Sequence, residues 1–543
     1  MSFFQPFHIF TPSPILGYGF DLDEFWRTIR EARPAAIILD SGSTDPGPYL
    51  LGTGKTLCSR KSYIRDLSPI LEACSTYEIK LLISSAGGAG TNQQVDLLVS
   101  IIRELCEQKS FSFHLVTIKF RDDHDATVSK LRAGDLSSCS LSPPLEEADI
   151  CNAVTVVGQM GAEPFLEILK DPSVNIIVAG QSYDPSPFTV FCIYHGVRES
   201  PAWYVGKIIE CGGLCTIPKG RSILATMFQD SFILTLTDPS QKCTPVSVAA
   251  HTLYEKTRPD RLPGPGGVLY LNEFKLEGAT HVSFRTTFIG GIRDPILIAG
   301  IDEFLDTVRS ITKEAFSALA TKAEPQIIFH IYGKNAVPDE MEIETTLGHE
   351  IRVLGEVVAE TQELADAIAG FSRTVLLHGA YKGQLATGGN LASPLVPLES
   401  PMGPVFKFSV YHLMNVQDLL ALFPIEYLFI RAKKTAVKKA LLADSSFTQK
   451  GLSTSLGVLH KEIPPPTVSG EPATRAPIDS SRVGVPLKDM ARVVRSKNSG
   501  PFEITLDVLF GSQCWTSSTL KTPACSPPSS FNGSIASSRP QIS

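Results

Sequence analysis

A chain of 543 residues exceeds what one hydrophobic core organises, so two or three domains are expected. With 43% apolar and 19% charged residues it has the balance of a globular protein, which excludes wholesale disorder. A formal net charge of −7, with no basic run beyond Arg431-Ala-Lys-Lys-Thr-Ala-Val-Lys-Lys439, excludes a basic nucleic-acid surface; that run reads as the solvated face of a helix.

No stretch approaches the roughly 20 apolar residues that cross a bilayer. The N-terminus, Met1-Ser-Phe-Phe-Gln-Pro6, has no basic flank before a long apolar run, so a cytoplasmic location and no membrane partner are expected. The eleven cysteines lack a framework spacing and read as reduced thiols.

Along the first half, apolar runs of strand length stop at Gly/Ser/Asp-rich loops and give way to helical patterns. Ala35–Leu39 leads into Asp40-Ser-Gly-Ser-Thr-Asp-Pro-Gly-Pro48, Ile79–Ile83 into Ser84-Ser-Ala-Gly-Gly-Ala-Gly-Thr-Asn92, and Val174–Val178 into Ala179-Gly-Gln-Ser-Tyr-Asp-Pro-Ser-Pro187. This is the signature of β-α units, so the fold class is α/β, mainly a parallel sheet with flanking helices, over residues 1–260. From about 265 to 295 apolar and polar residues alternate, which predicts an antiparallel segment. Helical patterns at Leu297–Ala320 and Thr361–Leu377, with a strand at Gln326–Tyr332, make 261–460 a mixed α/β second half. Residues 461–484, with Ile463-Pro-Pro-Pro-Thr467, read as a Pro/Ser-rich linker, 485–511 as a small module and 512–543 as a disordered tail.

Ligands of open parallel sheets bind at the carboxyl ends of the strands, where all three loops lie. Asp40, Ser43 and Asp45 offer carboxylates and hydroxyls for acid–base work or for Mg2+, although Asp and Ser also satisfy local turns. Gly87, Gly88, Gly90, Thr91 and Asn92 would let backbone amides and a helix N-terminus meet an anion; the bland reading is a turn capped by Thr91 or Asn92. Asp184 places a further carboxylate at a strand end, and Arg293 can fork onto an oxyanion or serve a structural ion pair. Cys211-Gly-Gly-Leu-Cys215 lacks a second pair for zinc. Cys211 could still meet His195, His251 or His412, but a buried thiol is the simpler expectation, as is a core histidine at His412.

Leu39-Asp-Ser-Gly-Ser-Thr-Asp-Pro-Gly-Pro-Tyr-Leu-Leu-Gly52 resembles the N-terminal signature of the acyclic terpene utilisation (AtuA-type) family. Further similar segments follow in order: Ser84–Gly90, Gly180–Phe188, Arg261-Leu-Pro-Gly-Pro-Gly-Gly267, Gly290-Gly-Ile-Arg-Asp-Pro295 and Val410-Tyr-His-Leu-Met414. Ala491–Phe510 resembles a short domain that accompanies such proteins, here truncated after Phe510. The resemblance implies catabolism of acyclic terpenes through branched acyl-CoA thioesters, and it supplies no catalytic residue. The expectation is an enzyme acting on a small-molecule acid or acyl-CoA, by a hydratase- or lyase-type proton transfer. Asp40, Asp45 and Asp184 would carry the chemistry, and the glycine loop, Ser43 and Arg293 would bind ligand. The alternatives are a noncatalytic ligand-binding subunit and a Mg2+-dependent hydrolase; a homo-oligomer or a pathway enzyme would be the protein partner.

Overall fold

The computed structural model describes residues 4–139, 142–253, 273–318, 324–337, 342, 346–385, 387–416, 418, 420–431, 491–500 and 503–510. The segments expected as linker and tail, and the Arg261–Gly267 motif, lie outside these residues. The strands in chain order are β1 (Phe7–Thr11), β2 (Ala36–Asp40), β3 (Lys80–Ser84), β4 (Phe113–Ile118), β5 (Leu136–Ser138), β6 (Thr155–Gln159), β7 (Ile176–Ala179), β8 (Ile223–Met227) and β9 (Phe232–Leu236). There follow β10 (Glu273–Ile292), β11 (Gln326–Tyr332), β12 (Ile351–Ala359), β13 (Glu399–Asn415), β14 (Ile425–Ile430), β15 (Ala491–Gly500) and β16 (Glu503–Phe510).

The first sheet runs β14-β4-β7-β3-β2-β1-β8-β9. Its five central strands are parallel, while β8, β9 and β14 are antiparallel additions at the two sides. Strand β2 shows why apolar runs fold this way. Ala36 and Ile38 enter one core, with Phe165, Phe188 and Val205 of the helices Glu163–Leu169, Ser186–Tyr194 and Glu199–Ile209. Ile37 and Leu39 enter the other, with Phe25, Leu67 and Leu98 of Leu22–Ala32, Arg60–Tyr77 and Asn92–Lys109. A strand covered on both faces needs apolar residues at every position, hence the unbroken runs.

The second sheet is ordered β11-β12-β10-β13-β5, with β6 also paired to β10. The predicted antiparallel segment is β10, a 20-residue strand. Its second half, Phe284–Ile292, pairs with β12; its first half, Lys275–Ala279, pairs with β6; β13 follows it through three register shifts. The helices Ile301–Phe316 and Gln362–His378 cover one face through Phe304, Leu305, Ile368 and Leu376. Both sheets draw on both halves of the chain, since β5 and β6 join the second sheet and β14 joins the first. Strands β15 and β16 form a separate two-stranded sheet.

In the first sheet β1, β2 and β3 follow one another, the chain then passes over one place to β4, and β7 later fills the gap. The carboxyl ends of β2, β3 and β7 therefore open onto the loops that the sequence singles out.

Candidate functional site

Asp40 ends β2 directly opposite Ser84, the last residue of β3. Its side chain is only 6% exposed, and Ser84 Oγ donates to Oδ1 at 3.0 Å. Burial, and next the Asp184 carboxylate, push the Asp40 carboxyl well above the usual carboxylate range, against the pull of the Gly42 amide, the Ser84 hydroxyl and the Ser41 amide.

Asp184 reaches this position because the loops after β3 and β7 are joined. Ser85 adopts a left-handed conformation (φ 46°); its N–H donates to Gly180 O (3.0 Å), and its Oγ accepts from Ser182 N–H (3.2 Å). Gln181 N–H donates to Gly90 O (3.2 Å). On the far side Tyr183 N–H donates to Met160 O (2.9 Å), so the end of β6 clasps the same loop.

The helix Glu199–Ile209 supplies the remaining groups. Lys207 and Glu210 form a buried ion pair. Burial opposes the Lys207 charge, yet Glu210, with Cys211 and Asp184, holds its ammonium above the ordinary lysine range. Burial first, then Glu210 and Asp184, push the Tyr183 phenol up, and its ring lies 6.0 Å from that of Trp203. Burial, then Glu210, push the Cys211 thiol up, with Asp184 and Asp40 adding to the effect against Lys207. Asp40, Asp184, Glu210, Lys207, Tyr183 and Cys211 are therefore one electrostatic cluster. At the same strand ends Gln181 Oε1 and Ser186 Oγ are buried, and among the described residues nothing hydrogen-bonds either atom.

Asp45 is exposed, and its N–H donates to Ser43 Oγ at 3.2 Å, a local turn; Ser43 N–H donates to Gly88 O. The amides of the glycine loop are engaged within the protein. Gly87 N–H donates to Ser41 Oγ, Gly88 N–H to Ser85 O, Gly90 N–H to Ala86 O, and those of Ala89 and Thr91 to Gln94 Oε1. Thr91 completes a capping box with Gln94, and the Asn92 carboxamide both donates to and accepts from the Phe120 backbone. Arg293 follows β10 in the second sheet and donates to His349 O (2.7 Å), while Asp294 caps the next helix. His412 Nε2 faces Pro143 O at 3.1 Å, a core setting. The Lys207–Glu210 pair belongs to no sequence motif; its signal is two opposite charges three apart in the apolar stretch Trp203-Tyr-Val-Gly-Lys-Ile-Ile-Glu210.

Among the described residues no three His, Cys, Asp or Glu side chains are grouped to hold a metal ion, so Mg2+ finds no such donor set there. Among them, too, no helix is long and apolar enough to cross a membrane.

Residues 53–222 match a family described as acyclic terpene utilisation family protein AtuA, a span that takes in Ser84, Asp184, Lys207, Glu210 and Cys211 but begins after Asp40. Residues 487–522 match a domain of unknown function, DUF4387. No curated protein and no solved structure gives a match. The two matches together are consistent with an AtuA-type protein that carries a small C-terminal domain.

Proposed function

We propose that the protein is an acid–base enzyme of acyclic terpenoid or branched-acid metabolism, acting on an acyl thioester or carboxylic acid by a hydratase- or lyase-type proton transfer. The observation that carries this reading is Asp40, buried and set against Asp184. Two carboxylates that share one site titrate as a pair, and the one in the drier setting keeps the proton. Asp40 is then the general acid, oriented by Ser84, and Asp184 the carboxylate that accepts a proton; environments that split two carboxylates in this way assign the two roles. Lys207 and Glu210 set the local field, and Gln181 Oε1 and Ser186 Oγ offer two acceptors to substrate. The family supports the acyclic terpene context.

The test is a product assay on branched acyl-CoA thioesters and free acids, with substrates chosen by thermal shift, where a ligand at 100 times its Kd adds about 2.7 kcal/mol. Asp40→Asn is expected to lower kcat roughly 100-fold or more with KM nearly unchanged, as loss of a general acid does. Unchanged turnover would overturn the reading. The match at residues 487–522 favours a second one, a ligand-binding subunit whose small domain docks on a pathway enzyme; turnover by the purified chain alone excludes it.

A further inference from the structure

The end of β6 joins the candidate site to the second sheet. Met160 N–H donates to Gln181 O at 3.0 Å, and Gln159, the residue before it, stands opposite Lys275 in the β6–β10 register. Successive residues of a strand point to opposite faces. Phe274 and Leu276 enter the core beneath the first sheet. Ala279 packs with Val157, Leu51 and Phe406, with Ala89 of the glycine turn against them. Lys275 shares the face of Ala279, which is therefore turned toward the loops at the carboxyl ends of the parallel strands.

On that face the Lys275 ammonium lies 2.6 Å from Glu277 Oε1 and 5.1 Å from the centre of the Tyr411 ring, with its side chain 17% exposed. Removing two charges from water costs about as much as their attraction returns, so a buried pair is a poor stabilising device against an apolar replacement. It does hold an ammonium at a fixed place. One of the three N–H donors of Lys275 goes to Glu277, and among the described residues nothing hydrogen-bonds the half-buried Gln159 carboxamide. Lys275 and Gln159 are cross-strand partners on this face, so an ammonium and a carboxamide N–H are both available there to the two oxygens of an oxyanion.

We propose that Lys275 and Gln159 bind an oxyanion, the carboxylate or a phosphate of the substrate, and so hold the substrate across the strand ends. The proposal rests on those strand ends being the reaction site. Isothermal titration of the full chain at pH 7 and low salt tests it, with 3-methylbut-2-enoate and inorganic phosphate as probes of the two sources. One of them binds the wild type; Lys275→Gln weakens it at least 20-fold, Lys275→Arg less than fivefold, Gln159→Ala about fivefold and Asp40→Asn less than threefold. Binding by Lys275→Gln or Gln159→Ala equal to that of the wild type overturns the proposal, and so does failure of both probes to bind the wild type. Should Lys275→Gln not fold, Gln159→Ala decides alone. Turnover retained in Asp40→Asn sinks the acid–base assignment and leaves this result standing, so the two failures are distinguishable.

Discussion

Asp40 is held in a protonation state that the unfolded chain does not share. Because its folded pKa lies above the ordinary carboxylate value, the native state binds more protons than the unfolded state between the two. The stability it contributes is complete below the ordinary carboxylate range and is lost as pH rises through that range toward the raised value. Asp40→Asn should therefore gain in Tm over the wild type more at pH 8 than at pH 4.5, while its activity falls; an equal difference at both pH values would contradict the raised pKa. His251 has the opposite sign. Burial, with Lys207 and Lys219 behind it, lowers its pKa to about 4, so the native state binds fewer protons and stability is lost as pH falls from about 6.5 toward 4. At one pKa unit per 1.36 kcal/mol, passing from pH 7 to pH 5 costs about 2 kcal/mol through this group. Urea titrations at both pH values should show that His251→Gln removes most of that loss. Asp40 and Asp184 were legible in the sequence because each sits where an apolar run stops. Lys207 and Glu210 were not, because their burial follows from packing between two helices and the sheet, which no local pattern records.

At the scale of elements, the glycine turn acts through its close approach to its neighbour. A Cβ on Gly90 (φ +63°) would lie 2.0 Å from the Gln181 backbone nitrogen, whereas one on Gly134 (φ +77°) would meet nothing within 4 Å. Gly134→Ala should then cost about 1–2 kcal/mol, the left-handed penalty alone. Gly90→Ala must also part the loops after β3 and β7 and should cost about 3 kcal/mol or more, with loss of activity, since Asp184 rides on the second loop. Chemical denaturation of the two variants checks the difference; equal costs would mean that the contact is not tight. Local signals were legible here: the strand expected at Gln326–Tyr332 is β11 over the same residues, and the helix expected from Thr361 starts at Gln362 with Thr361 as its cap. The short strands β5 and β6 were not, for neither Leu136–Ser138 nor Thr155–Gln159 is an unbroken apolar run, and the strands they pair with lie more than 100 residues further on.

For the whole molecule, the α/β class followed from the unbroken apolar runs, but the way the chain is shared between two sheets did not. Periodicity reports which face of a segment is buried and not which segment it meets. The placement of β14 has a consequence for how the protein is made. Ile118 of β4 pairs with Ile425, and Phe113 with Ile430. Synthesis proceeds from the N-terminus, so β4 emerges from the ribosome about 300 residues before the strand that covers its outer side, a delay of about 15 to 60 seconds at roughly 5–20 residues per second. During that interval the growing polypeptide carries an open strand edge, the kind of surface that pairs with other chains and that molecular chaperones shield.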